Sequence, residues 1–125
     1  MEASHDFLHL FRHSADARTI PTGSVLFETG APGDLLYVVL SGKVEIRIGG
    51  KVVETVGEGG IVGEMALIDK SPRSADAVAA SEAVVVSIDE RRFLFLVQQT
   101  PFFALNVMRV MAERLRRRTA SPARA

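Results

Sequence analysis

The period of the apolar positions changes twice along the chain and divides it into three parts. In Asp6–His13, Phe7, Leu8, Leu10 and Phe11 fall at helical spacing and predict a short amphipathic helix. From Arg18 to Ile88 the pattern becomes short β-rich runs broken by glycine. These predict strands at Val25–Phe27, Leu35–Leu40, Lys43–Ile48, Lys51–Val56, Ala75–Ala79 and Ala83–Ile88. Within Lys43–Ile48, Val44, Ile46 and Ile48 alternate with Lys43, Glu45 and Arg47, the pattern of a half-buried strand. Gly49-Gly50 then supplies the positive φ angles of a two-residue hairpin turn. Short strands joined by tight glycine turns predict an antiparallel roll or barrel.

From Asp89 the helical period returns. Asp89 is a candidate cap for a helix carrying Phe93, Leu94, Leu96 and Val97. Thr100-Pro101 restarts the chain, with Thr100 as cap and Pro101 as first helical residue. The second helix carries Leu105, Met108, Met111, Ala112 and Leu115, and ends in Arg114, Arg116, Arg117 and Arg118. The expected fold is thus mainly β with flanking α in one domain, 1–125. A β-roll spans about 18–88, C-terminal helices about 89–118 and a tail 119–125.

Composition narrows the classes. The 125 residues suffice for one core, burying roughly two-thirds of the unfolded surface. Apolar residues at 47 % and charged residues at 24 % are ordinary globular values rather than those of a disordered chain. Fifteen Lys and Arg balance fifteen Asp and Glu, so no net charge draws the chain to nucleic acid or an acidic membrane. The absence of cysteine excludes disulfides, thiolate metal sites and a Cys nucleophile. No apolar run reaches the ~18 residues of a membrane helix, and Met1–His13 lacks the basic start and apolar block of a signal peptide. A cytoplasmic domain is expected, and Met1 with the tail Ser121–Ala125 points to one that stands alone. His5, His9 and His13 share a helical face at metal-compatible spacing. Beside them only Asp6 could orient a ligand, and no metal is expected. An enzyme on such a roll would need histidines and carboxylates on its strands. All three histidines precede residue 14, so no catalytic residue is assigned.

The chemistry concentrates in Gly60–Ala79. After a glycine-rich turn, Gly63-Glu64-Met65-Ala66-Leu67 predicts one or two turns of helix, whose first N–H groups lack internal partners. Gly63 lets a ligand approach the backbone closely. Arg73 is the only arginine between Arg47 and Arg91, and its planar fork matches two phosphate oxygens. Ser74 adds a hydroxyl and Ala75 an N–H. Glu64 suits a ligand that also carries a hydroxyl, since a carboxylate accepts from a ribose 2′-OH. The bland alternative is a buried Glu64–Arg73 salt bridge, or two separate surface charges.

Gly63-Glu64-Met65-Ala66-Leu67 followed by Pro72-Arg73-Ser74-Ala75 resembles the phosphate-binding cassette of cyclic nucleotide-binding domains. That family includes bacterial catabolite activator proteins, regulatory subunits of cAMP-dependent kinase and cyclic-nucleotide-gated channels. Ile20–Phe27 and Gly30–Gly42 resemble the family's first strand and glycine-marked hairpin, and the likeness covers about residues 7–118 in order. The resemblance implies an antiparallel β-roll of the double-stranded β-helix or jelly-roll kind. It adds a short N-terminal helix, a short cassette helix and two C-terminal helices. It also implies a ligand-binding set of Gly63, Glu64, Met65, Ala66, Arg73, Ser74 and Ala75. Gly63 and Glu64 would hold the ribose, Arg73 the phosphate charge, and Ser74 and Ala75 its oxygens. The side chains of Met65, Ala66 and Leu67 are read first as core. Val62 stands where the family often has an aromatic residue.

The arginine run reads as a solvated helix end or, by the resemblance, as a lid over the base, with Arg114 and Arg117 the candidates. A nucleic-acid role is discounted, because one short cluster stands in a neutral chain. The implied ligand is cAMP, with cGMP second, and the chain would be a sensor that shifts its last helix and signals to a protein partner. No helix-turn-helix segment follows, and the seam Leu105, Met108, Ala112 and Leu115 is short, so a monomer or weak dimer is expected. The rival is a β-roll interaction module that binds another effector, such as cyclic di-GMP, or no nucleotide.

Overall fold

The computed structural model describes residues 7–120. Its elements run α1 (Leu8–Phe11), β1 (Arg18–Ile20), β2 (Val25–Phe27), β3 (Leu36–Ser41), β4 (Val44–Ile48), β5 (Lys51–Val56), β6 (Ile61–Val62), α2 (Glu64–Asp69), β7 (Asp76–Ala79), β8 (Ala83–Ile88), α3 (Glu90–Gln99) and α4 (Pro101–Ala120). The strands form two four-stranded antiparallel sheets, ordered β1-β8-β3-β6 and β2-β7-β4-β5. This is the antiparallel β-roll with flanking helices that the glycine-punctuated runs predict.

Strand β3 shows how the layers are arranged. Leu36 and Val38 face the helices, packed with Phe7, Phe11, Phe103, Val107 and Val110. Tyr37 and Val39 face the inside of the roll, with Val44, Val56 and Val62. A strand buried on both faces carries apolar residues without alternation, and this accounts for the unbroken run read from the sequence. Its partner β8 does the same, sending Val86 and Ile88 to the helices and Ala83 and Val85 inward. In the other sheet, β4 alternates in sequence, with Val44 buried, Glu45, Ile46 and Arg47 half-buried and Ile48 exposed.

The β4–β5 hairpin turns through Gly49 and Gly50, both at positive φ (60° and 81°), in a conformation side chains resist. Asp89 caps α3, its carboxylate accepting from the Arg92 N–H at 2.9 Å. Pro101 opens α4 as expected. Phe103 is fully buried and meets Phe7, Phe11 and Phe93 edge-on, with centroids 5.5–6.4 Å apart.

Several boundaries differ from the sequence reading. Strands β1 and β6 were not foreseen; with three and two residues they are too short for a period to register. Strands β3, β4 and β7 each begin one residue later than predicted, and α4 runs to Ala120 rather than about 118. Helix α1 covers only Leu8–Phe11 of the predicted Asp6–His13, of which Asp6 lies outside the described residues. On α4 the face against the sheet is Phe103, Val107 and Val110, whereas the seam residues Leu105, Met108 and Leu115 point outward. His5 also lies outside the described residues, and His13 is exposed. Among the described residues no single helix is long and apolar enough to cross a membrane.

Candidate functional site

Strand β6 runs into Gly63, which sits in the left-handed region (φ 84°) and starts α2. A side chain at this position would meet three groups. A Cβ would fall 2.6 Å from the Arg73 Nη1, 3.1 Å from the Leu35 carbonyl and 3.2 Å from the Phe27 ring. Both the turn and the close approach therefore require glycine. At the other end of α2, Lys70 closes the helix, also left-handed (φ 62°), with its N–H donating to the Ala66 carbonyl.

Arg73 lies between the cassette and the β2–β3 loop. Its backbone is clamped there: the Arg73 N–H donates to Ala31, and the Gly30 N–H donates to Arg73, both at 2.8 Å. The guanidinium donates from Nη1 to the Gly63 carbonyl (3.0 Å) and from Nη2 to the Leu35 carbonyl (2.6 Å), and it lies 4.0 Å from the centre of the Phe27 ring. The residue is only 4 % exposed, yet its Nε has no partner, and it forms no ion pair among the described residues. Burial pushes its pKa down, against the weaker pull of Tyr37, Asp34 and Glu64. A buried cation held only by carbonyls and a ring is poised for an anion.

Glu64, 2 % exposed, begins α2 on the same cavity. The Glu64–Arg73 salt bridge weighed above does not form. Glu64 Oε1 instead accepts from Arg114 Nη1 at 2.7 Å, across to α4. Arg114 also donates to both Glu54 carboxylate oxygens at 3.0 Å and to the Ile61 carbonyl at 2.8 Å. Arg117 reaches Glu54 Oε1 at 3.1 Å and is half exposed. Burial pushes the Glu54 carboxyl up, but the bonds and charges of Arg114 and Arg117 outweigh it and hold it below its ordinary value. Burial likewise opposes the Arg114 charge, and Glu64 and Glu54 overcome it, raising the pKa.

These groups surround a cavity of about 700 Å³, within the range of small-molecule sites. All nine residues singled out from the sequence line it: Gly63, Glu64, Met65, Ala66, Arg73, Ser74, Ala75, Arg114 and Arg117. Ser74 is exposed, and Ala66 and Ala75 are buried. The sequence reading did not single out Glu54 or the apolar wall of Phe27, Ile46, Ile48 and Val53. In Lys51–Val56, Glu54 reads as an ordinary solvent-facing strand acid, and nothing local marks its partner 60 residues away. The arrangement offers a cation for a phosphate, a buried carboxylate for a hydroxyl and an apolar wall for a flat ring.

The profile of the family described as "Cyclic nucleotide-binding domain" matches residues 17–100. The chain is 36 % identical over 104 residues to the cyclic AMP receptor protein of Thermus thermophilus. That match covers 79 % of this chain and 48 % of the relative, so the chain spans about half the length of that protein. The solved structure of the Thermus thermophilus catabolite activator protein superposes with a TM-score of 0.75 at 34 % identity, covering 84 % of this chain and 52 % of that one. An EAL enzyme in its cGMP-bound form superposes with a TM-score of 0.64 at 32 % identity, covering 84 % of this chain and 29 % of that one.

Proposed function

The chain belongs to the cyclic nucleotide-binding domain family, and on that premise we propose that it is a non-catalytic sensor module whose ligand is cAMP. The observation that carries this is Arg73: a buried guanidinium with no carboxylate partner among the described residues, with an unused Nε–H, on the wall of a cavity that fits a nucleotide. The cyclic phosphate supplies the missing anion, with the Ser74 hydroxyl and the Ala75 N–H as further donors. Glu64, backed by Gly63, accepts from the ribose 2′-OH. The backbone N–H groups of Met65 and Ala66, in the first turn of α2, face the same ligand. The base lies against Ile46, Ile48 and Val53, with Arg114 and Arg117 on the α4 side.

The output follows from the way the site is built. Glu64 belongs to α2 but is bonded to α4 through Arg114. Leu67 on α2 shares a core with Phe103 and Val107 on α4 and with Phe93 on α3. Drawing the cassette onto a phosphate shifts these contacts and so repositions α4, which a protein partner reads. The shift is limited by the difference in ligand affinity between the two states.

A second reading, cGMP as ligand, is favoured by the Ser74 hydroxyl beside Arg73 and by the cGMP-bound relative. Calorimetric titration with cAMP, cGMP and cyclic di-GMP ranks the candidates. Micromolar or tighter binding of one of them, lost in Arg73→Ala, establishes the cassette and names the ligand. No heat with any of the three, from folded protein free of co-purified nucleotide, overturns the reading.

A further inference from the structure

We propose that Glu54 and Arg114 are positioning residues for ribose recognition: together they hold the Glu64 carboxylate so that one oxygen is left for the 2′-OH. The inference rests on the cyclic nucleotide reading above and adds two residues to it.

A carboxylate as buried as Glu64 needs a compensating cation. Arg73 does not supply it; Arg114 does, through one bond from Nη1 to Glu64 Oε1. Among the described residues the second oxygen, Oε2, makes no hydrogen bond, and Glu64 lines the cavity. The direction of that free oxygen depends on where Arg114 stands. Three further bonds hold the Arg114 guanidinium: Nε and Nη2 clasp the two oxygens of Glu54 on β5, and Nη2 also reaches the carbonyl of Ile61 on β6. Such a two-point clasp fixes the plane of the fork as well as its position. Glu54 therefore acts at one remove, orienting the arginine that orients the acid. Arg114 also separates two carboxylates that would otherwise repel across the cavity wall. Four of its five N–H donors are held by Glu54, Glu64 and Ile61, and Arg117, half exposed on the next turn, is the arginine with reach to spare for the base.

The test compares cAMP with 2′-deoxy-cAMP in the wild type, Arg114→Gln and Glu54→Gln, by calorimetry, with far-ultraviolet circular dichroism to confirm folding. Wild type is expected to bind cAMP about tenfold tighter than the deoxy ligand, the scale of a hydrogen bond to a charged group. Arg114→Gln should weaken cAMP by about that factor more than it weakens the deoxy ligand, so that the two ligands converge. Glu54→Gln keeps the Arg114–Glu64 bond but loosens it, and should give a smaller loss confined to cAMP. If Arg114→Gln does not fold, Glu54→Gln decides. Equal losses for both ligands in the folded variants, or unchanged cAMP affinity, overturn the proposal and leave a merely structural role. Equal wild-type affinity for the two ligands overturns it while the cyclic nucleotide reading stands. Wild type binding neither ligand removes that reading and the proposal with it.

Discussion

The cavity has two walls, one built around the buried Arg73 and one around the partly buried Arg114, and they treat the charge in opposite ways. On the α4 wall, Arg114 meets two carboxylates and a carbonyl, and its neighbours hold it charged. On the cassette wall, Arg73 meets carbonyls and a ring, has no counter-ion among the described residues and keeps one N–H unused. Folding satisfies the first and leaves the second short of an anion. The difference separates a charge that holds the fold together from one that waits for a ligand, although both belong to the same residue type on the same cavity.

Substitutions should split along that line. The largest effect on stability is expected from Arg114→Ala, which strands Glu64 in the interior; breaking such a pair costs about 3–5 kcal/mol, read as a drop in the urea midpoint. Arg73→Ala should weaken nucleotide binding by about 2–5 kcal/mol while moving the same midpoint far less, since no carboxylate loses its partner. A comparable loss of stability in both variants would erase the distinction between the walls. Gly63→Ala tests whether the cassette wall tolerates crowding. It forces a side chain into a left-handed backbone and against the Arg73 guanidinium. It should cost about 1–3 kcal/mol of stability, together with measurable affinity, in thermal melts and titrations.

The smallest effect is a pH dependence contributed by the α4 wall. The Glu54 carboxyl is held below its ordinary value in the fold. Its contribution is therefore complete above the unfolded pKa of about 4.3 and is lost as pH falls through the lower folded value. Urea midpoints measured from pH 6 downward should fall in that acid window, and Glu54→Gln should flatten this part of the curve. Arg73 has no carboxylate partner, so Arg73→Ala should leave the acid slope as it is.

The two walls were not equally readable in the sequence. Cassette residues lie within 13 positions of each other, and Gly63, Glu64 and Arg73 mark their chemistry locally. The α4 wall joins Glu54, Ile61, Glu64 and Arg114 from four elements, and that pairing exists only once the chain has folded. Residue type alone does not show whether an arginine is paired, so the contrast between Arg73 and Arg114 had no local signal. Local turn and cap chemistry was legible, as at Gly49-Gly50, Asp89 and Pro101. The orientation of α4 was not. Phe102, Leu105, Met108 and Leu115 compete with Phe103, Val107 and Val110 around the helix, and only packing with the distant Phe7, Phe11, Leu36 and Val38 chooses between them.

Strand β3 carries one more consequence. Because Leu36–Val39 is buried on both faces, sliding it by one residue would exchange apolar side chains for apolar side chains, and hydrophobicity alone would barely object. The information that fixes its alignment has to come from elsewhere. One source is size, with the Tyr37 ring demanding the roomier interior beside Phe27. Another is the irregularity opposite β8 between Val39 and Ser41, which acts as a stop where the apolar run gives way to Ser41. A chain altered at that stop would keep its composition and its strands while losing its unique alignment, a failure that would surface as misfolding and not as weak binding.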